Sequence, residues 1–100
     1  MSKTILITGS TDGIGLEAAR RLARAGHTLL LHGRSAEKLE KTAAGMSELT
    51  GGAAVETYRA DLSRLEETAA MARSVCERHD ALDVLINNAG VLKAPEPVLL

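Results

Sequence analysis

The sequence contains neither phenylalanine nor tryptophan, and Tyr58 is its only aromatic residue. A core must therefore be built from Ile, Leu, Val and Ala, and the aromatic rings on which many proteins stack nucleic-acid bases are missing. The formal net charge is only -1, so no excess of positive charge favours a polyanion either. We expect no nucleic-acid partner.

Cysteine and long apolar runs are also scarce. Cys76 is the only cysteine and cannot form a disulfide within the chain. The first residues lack the apolar stretch of a secretory signal, and no apolar run approaches the roughly 20 residues that cross a bilayer. We therefore expect a cytoplasmic protein with no membrane span or anchor. The three histidines are dispersed, so no metal site is expected.

Short apolar runs alternate along the chain with longer segments of helical spacing. The runs are too short for stable helices and predict strands at Thr4 to Thr8, Thr28 to His32, Ala53 to Tyr58 and Leu82 to Ile86. Their continuous apolar character is typical of parallel strands that are covered on both faces. The third run alternates apolar and polar residues, which indicates an edge strand.

Three amphipathic helices are predicted between these strands. The first ends at Gly26, which is placed to take a left-handed conformation, and the second runs from about Ser35 to Leu49. The third opens with a capping box, in which Ser63 accepts from an unpaired amide and Glu66 reaches back. The residues predicted to face the core are Ile14, Ala18, Leu22 and Ala25 in the first helix and Leu65, Ala69, Ala72, Val75 and Cys76 in the third.

Strands that alternate with helices, joined by right-handed crossovers, form a parallel sheet with helices on both faces. The predicted fold class is therefore α/β, with a doubly wound parallel sheet. Four strands of such a half-sheet take the order 3-2-1-4.

A glycine-rich segment, Thr8-Gly9-Ser10-Thr11-Asp12-Gly13-Ile14-Gly15, lies where the first strand ends and the first helix begins. A tight turn requires Gly9, close approach of a phosphate requires Gly13, and close packing of helix on strand requires Gly15. The unpaired amides of the first helical turn would face a pyrophosphate, with the positive end of the helix dipole behind them. Asp12 is interpreted as the helix N-cap. The segment predicts a dinucleotide site formed by Gly9, Ser10, Thr11, Asp12, Gly13, Ile14 and Gly15.

This segment resembles the cofactor turn of the short-chain dehydrogenase/reductase family, whose pattern Thr-Gly-x-x-x-Gly-x-Gly it matches. Asp61-Leu62 is similar to the family's adenine-contacting Asp and its neighbour, and Asn87-Asn88-Ala89-Gly90 is similar to its Asn-Asn-Ala-Gly signature. The resemblance implies that Asp61 and Leu62, and likewise Asn88, Ala89 and Gly90, line the cofactor. It also implies that the asparagine segment steadies the central strands. Taken alone, each segment could be only a polar turn.

The end of the second strand distinguishes the two nicotinamide cofactors. A carboxylate there would bind the ribose 2′-hydroxyl of NAD(H), whereas an arginine accommodates the 2′-phosphate of NADP(H). The chain has His32-Gly33-Arg34-Ser35 and no carboxylate at this point. Arg34, Ser35 and Lys38 offer two cations and a hydroxyl, so NADP(H) is predicted to be preferred over NAD(H). Alternatively, Arg34 is a solvated loop cation and Lys38 pairs with Glu37 or Glu40.

The family's reaction is hydride transfer between the nicotinamide and a carbonyl or alcohol carbon. A Tyr donates or removes the proton, a Lys lowers the pKa of that Tyr, and a Ser hydrogen-bonds the substrate oxygen. The resemblance therefore implies an oxidoreductase that acts on a small carbonyl or alcohol compound. The family's Tyr and Lys are four positions apart, whereas Leu62 stands four residues after Tyr58, so we expect no catalytic residue in this chain.

Two accounts of the chain remain open. In the first, residues 1–100 are a Rossmann-like NAD(P)-binding domain, truncated after the apolar Val98-Leu99-Leu100 and before the segment that catalyses and binds substrate. The resemblance then implies a homo-oligomer, because family members commonly form dimers or tetramers through later helices. In the second, the chain is a stand-alone, noncatalytic NADP(H)-binding module. An S-adenosylmethionine site is disfavoured, because it too needs a carboxylate where Gly33-Arg34 stands.

Overall fold

The computed structural model describes residues 2–50 and 54–88, which form a parallel sheet of four strands and three helices. In chain order the elements are β1 (Thr4–Thr8), α1 (Gly13–Arg24), β2 (Thr28–Gly33), α2 (Ala36–Leu49), β3 (Val55–Arg59), α3 (Leu65–Arg78) and β4 (Val84–Asn87). The strand order is β3-β2-β1-β4 and each pairing is parallel, which confirms the predicted sheet. All four strands therefore end at the same edge.

The two central strands, β1 and β2, are the most deeply buried part of the sheet. Ile7, Leu29, Leu30 and Leu31 have no exposed surface. Successive side chains of a strand point to opposite faces, so Ile7, Leu29 and Leu31 pack under α1 and α2, and Leu30 packs with Val75 of α3 on the other face. Helices on both faces explain why these strands are apolar without alternation.

The face that helix α1 buries matches the predicted one only in part: Leu22 packs against the core as predicted, but Ile14 does not. The buried residues of the helix are Gly15, Ala19 and Ala23, whereas Ile14 is 81% exposed. Small side chains let the helix lie close to the sheet, so the contact face follows the small residues and not the largest apolar one. The predicted helix end is confirmed, because Gly26 has a φ of 85° just after the C-cap residue Ala25.

The apolar stripe predicted for α3 is mostly wrong. Leu65 is 82% exposed, Cys76 is exposed, and Val75 is the residue that the helix buries. Met71, one turn earlier, packs beside Val75. Helix α3 therefore covers its face of the sheet through a narrow contact.

The predicted capping box of α3 is also wrong. The N-cap residue is Arg64, whose side chain makes no capping bond, and the hydroxyl of Ser63 donates to Asp61. Glu67, not Glu66, turns back, and its carboxylate accepts from the amide of Asp61 at 2.9 Å. The helix thus begins one residue later than a cap at Ser63 requires.

Among the residues that the structure describes, no helix has the length and apolar character needed to span a membrane.

Candidate functional site

The turn between β1 and α1 adopts backbone conformations that suit glycine. Gly9 and Gly13 have φ values of 65° and 58°, in the left-handed region where other L-residues are strained. Among residues 2–50 and 54–88, nothing lies within 4 Å of the position that a Cβ at Gly13 would occupy. The turn is therefore open on this side, and a ligand can reach the backbone.

Gly15 lies against the end of β1. A Cβ there would collide with the carbonyl oxygen of Gly9 and lie 2.7 Å from the side-chain nitrogen of Asn88. That nitrogen instead donates to the Gly9 carbonyl at 3.1 Å. The predicted close packing of helix on strand is confirmed, and Asn88 is part of the contact.

Thr8 joins the ends of β1 and β4. Its hydroxyl donates to the side-chain oxygen of Asn87 at 3.1 Å and accepts from the amide of Asn88 at 3.0 Å. The steadying role that the resemblance implied for the asparagine segment is therefore seen for these two residues. Ala89 and Gly90, which were also predicted to line the cofactor, lie outside the described residues.

The backbone amides of residues 11–15 lie at the N-terminal end of α1. Within residues 2–50 and 54–88 no acceptor is bonded to them, and the first helical bond runs from the amide of Leu16 to the carbonyl of Asp12 at 3.2 Å. Unpaired amides and the positive end of the helix dipole together attract an anion. The predicted N-cap position of Asp12 is confirmed, but its side chain makes no capping bond. The amides are consequently left free.

The amides of Gly9 and Ser10, in contrast, are bonded within the protein. Gly9 donates to Nδ1 of His32 at 2.9 Å, and Ser10 donates to the His32 carbonyl at 2.9 Å. The buried Ser10 hydroxyl donates to the same carbonyl at 3.2 Å and accepts from the His32 amide at 3.0 Å. Both residues were predicted to bind cofactor. Their amides and the Ser10 hydroxyl instead hold the turn against β2.

His32 is a site residue that sequence reasoning missed. Its ring is buried between Gly9 and the carbonyl of Ala60, which lies 2.8 Å from Nε2. Because the Gly9 amide can only donate, Nδ1 accepts and Nε2 carries the proton. Burial lowers the pKa of His32, and the bond to Ala60 opposes this in part. The signal in the sequence was a polar residue within a buried apolar strand, which must find partners.

The end of β2 lies beside the turn because Gly33 has no side chain. A Cβ there would lie 2.8 Å from Cγ2 of Thr11, so Thr11 rests directly over the strand end. Arg34 and Ser35 follow and are exposed. The Ser35 hydroxyl accepts from the amide of Lys38 at 3.2 Å and so caps α2. The structure thus brings Thr11, Arg34, Ser35 and Lys38 to one edge of the sheet.

Lys38 pairs with neither of the neighbouring glutamates. Its ammonium lies 3.3 Å from Oδ2 of Asp12, across the gap between α2 and the turn. Both side chains are exposed, so this pair stabilises the fold little. It does place a cation next to the open amides.

Arg59 is a third cation at this edge, and it was not among the predicted site residues. It pairs in register with Gly33, and its Nε donates to the carbonyl of Arg34 at 3.0 Å. Its guanidinium also lies 3.4 Å from the carboxylate of Glu67. The backbone of Arg34 is therefore held by a neighbouring strand, while its own guanidinium stays exposed.

Asp61 and Leu62 lie just beyond β3. Hydrogen bonds from the hydroxyl and amide of Ser63, at 2.7 and 3.0 Å, together with the charges of Arg34 and Arg64, hold the pKa of Asp61 below its usual range. This carboxylate therefore starts a turn, one of the two roles that the sequence left open. The carbonyl of Leu62 accepts from the hydroxyl of Thr68 at 3.3 Å.

Tyr58 is not set up for proton transfer. Its hydroxyl donates to Glu56 at 2.7 Å, and burial together with this bond raises the pKa of Tyr58. A tyrosine that exchanges protons near neutral pH needs a lowered pKa instead.

In residues 2–50 and 54–88 there is also no group of three His, Cys, Asp or Glu residues that could hold a metal ion.

Comparison with known proteins gives consistent matches. The model of the short chain dehydrogenase family matches residues 3–99. An uncharacterized oxidoreductase of Mycobacterium tuberculosis is 42% identical over 89 residues, which are 88% of this chain and 26% of the relative. L-sorbose reductase of Gluconobacter frateurii, solved with NADPH and L-sorbose, has a TM-score of 0.82 and 33% identity over 90% of this chain and 34% of its own.

A metagenomic short-chain oxidoreductase solved in complex with NADP is similarly close. Its TM-score is 0.81 at 36% identity, covering 91% of this chain and 41% of its own. The chain spans only about a quarter to a third of the length of the curated relatives it matches, 26% and 35% in two cases. The likeness therefore covers most of this chain but only a part of each relative.

Proposed function

The chain belongs to the short-chain dehydrogenase family, and from that premise we propose that it binds NADP(H) in preference to NAD(H). The bound nicotinamide would supply or accept a hydride in the reduction of a carbonyl or the oxidation of an alcohol. One observation carries this proposal: the open amides of residues 11–15 lie at the same sheet edge as the exposed Arg34. The amides suit a diphosphate, and Arg34 suits a further phosphate.

The diphosphate end is supported by backbone geometry. The amides of residues 11–15 are unbonded within the described ranges, and the side of Gly13 is open. A phosphate at a helix N-terminus gains both hydrogen bonds and the favourable dipole. Thr11, which rests over Gly33, adds a hydroxyl at the border of this region.

The preference for NADP(H) is supported by the charges at the end of β2. The guanidinium of Arg34 can bind a phosphate through two parallel N–H groups, and the hydroxyl of Ser35 still has a proton to donate. No carboxylate stands at positions 32–35 to accept from a ribose hydroxyl. The solved relatives with NADPH or NADP agree with this choice.

Proton transfer and substrate binding are proposed to belong to other residues of the complete protein. Tyr58 is followed four residues later by Leu62 and not by a lysine, and its raised pKa disfavours the role. This chain therefore contributes the part that binds the cofactor.

The test is to measure dissociation constants of NADP+ and NAD+ for the wild type and Arg34→Ala by calorimetry. We expect Arg34→Ala to weaken NADP+ by about tenfold, through loss of a charge-assisted bidentate contact, and NAD+ by less than about twofold. Arg24→Ala, at the other end of α1, is the matched control. Equal losses for both dinucleotides, or no loss for either, would contradict the preference.

A further inference from the structure

We infer that His32 is a positioning residue for the dinucleotide, and that its neutral ring fixes the glycine turn so that the amides of residues 11–15 point at the diphosphate. This inference rests on the proposed function. The ring lies beneath the turn, with Nδ1 2.9 Å from the Gly9 amide and Nε2 2.8 Å from the Ala60 carbonyl. One side chain thus joins the ends of β1, β2 and β3.

The bond to Gly9 acts on the part of the turn that most needs support. Gly9 is in the left-handed region and lies two residues before Thr11, where the open amides begin, so a change in its peptide orientation would alter the path of the chain into them. The carbonyl of Gly9 is fixed by Asn88 at 3.1 Å, and its amide is fixed by His32. The carboxyl end of β1 is therefore held from both neighbouring strands.

Protonation of His32 would remove the acceptor at Nδ1 and set two N–H donors against each other. The ring is faced by Gly9 from the turn, by Ala60 after β3, and by Tyr58 at its register position on β3. Tyr58 is kept neutral by its raised pKa, and the Asp61 carboxylate accepts from Ser63. Burial lowers the pKa of His32, so the ring is neutral at pH 7.

Two substitutions separate the two ring bonds. In His32→Asn the amide oxygen is bonded to Cγ, as Nδ1 is, so the acceptor for Gly9 is retained and the donor to Ala60 is lost. In His32→Gln the amide nitrogen lies one carbon further out, as Nε2 does, so the donor to Ala60 is retained and the acceptor for Gly9 is lost. Each variant breaks one buried bond, so similar losses of melting temperature are expected.

The affinities should differ even though the stabilities do not. At about pH 8, with folding checked by circular dichroism, we expect His32→Gln to bind NAD+ and NADP+ about tenfold more weakly than wild type. His32→Asn should stay within about threefold of wild type. The ratio of the two dissociation constants should not change, because both dinucleotides share the diphosphate. Equal affinities of the Asn and Gln variants would overturn the inference.

A pH series provides a second readout that needs no stable variant. In the wild type without ligand, the amide proton shift of Gly9 should titrate with the same midpoint as the His32 ring, below about pH 6.5. Affinity for NAD+, which has no titrating 2′-phosphate, should fall over the same range. A Gly9 amide that ignores the His32 titration, or an NAD+ affinity that does not fall with it, would overturn the inference.

The two proposals fail in distinguishable ways. If Arg34→Ala leaves the NADP+ to NAD+ ratio unchanged while the His32 variants behave as expected, only the cofactor preference is lost. If neither dinucleotide binds, the linked titration of Gly9 and His32 can still be observed in the free protein, and the failure lies in the proposed function.

Discussion

The ammonium of Lys38 lies 3.3 Å from a carboxylate oxygen of Asp12, so an ion pair joins the start of α2 to the glycine turn. This pair crosses the region proposed for the dinucleotide. Lys38 is therefore shared between a carboxylate of the protein and any phosphate that binds nearby. Because the two side chains are 60% and 72% exposed, the pair adds little to stability. Its main effect is on the electrostatic environment that a bound ligand meets.

Removing the Asp12 charge should tighten binding. We expect Asp12→Asn to lower the dissociation constant of NADP+ by about threefold, because Lys38 is released and a negative charge near the diphosphate is lost. Calorimetry at low and high salt checks this, since the gain should shrink with added salt. Asp80→Asn, an exposed carboxylate after α3, is the control. Weaker binding by Asp12→Asn would contradict the electrostatic account.

Gly15 should be intolerant of even one methyl group. Gly15→Ala would press a Cβ into the Gly9 carbonyl and against Asn88, and we expect it to lower the free energy of unfolding by about 1–3 kcal/mol. Gly45→Ala is the matched control, because Gly45 lies inside α2 and no atom of the described part of the chain is within 4 Å of its Cβ position. That change should raise the free energy of unfolding by about 0.5–1 kcal/mol. Urea unfolding followed by circular dichroism measures both, and similar effects at the two sites would refute the packing argument.

Glu56 should give the fold part of its acid sensitivity. It accepts from Tyr58 at 2.7 Å and from His79 at 3.0 Å, so it ties the end of α3 to β3. Burial would raise the pKa of Glu56, but these bonds and the charges of His79 and Arg78 outweigh burial and lower it. The stabilisation is therefore present above the ordinary glutamate pKa of about 4.3 and is lost as pH falls through the lower folded value.

Glu56→Gln tests this directly. It should lower the free energy of unfolding at neutral pH by about 1 kcal/mol and flatten the decline of stability in acid. Unfolding in urea at neutral pH and near pH 4 measures both effects. Glu40→Gln, on the exposed face of α2, is the control. A variant that loses stability in acid as steeply as the wild type would show that Glu56 is not responsible.

The sheet and the glycine turn could be predicted because their signals are local. A buried strand that ends just before Gly9 and a helix that starts at Gly13 are set by neighbouring residues, and the order β3-β2-β1-β4 is that of a doubly wound half-sheet with right-handed crossovers. The turn at Asp61 was one of the two roles predicted for that residue, the other being a cofactor contact, and the signal for a turn is also local.

The helix faces and the supporting residues could not be predicted from spacing alone. In α1 the distance to the sheet is set by Gly15, so small residues face inward and Ile14 faces outward. The role of His32 depends on partners 23 and 28 residues away, and that of Arg59 depends on strand register. Such contacts exist only once the chain has folded, so a single sequence does not reveal them.

The most direct test of where the dinucleotide binds is to titrate NADP+ and NAD+ into 15N-labelled protein and follow every amide. The proposed site predicts that both ligands shift the amides of residues 11–15 most strongly, and that the difference between the two ligands is concentrated at Arg34, Ser35 and Lys38. Shifts centred on another surface, or identical shifts at residues 34–38 with the two ligands, would contradict it.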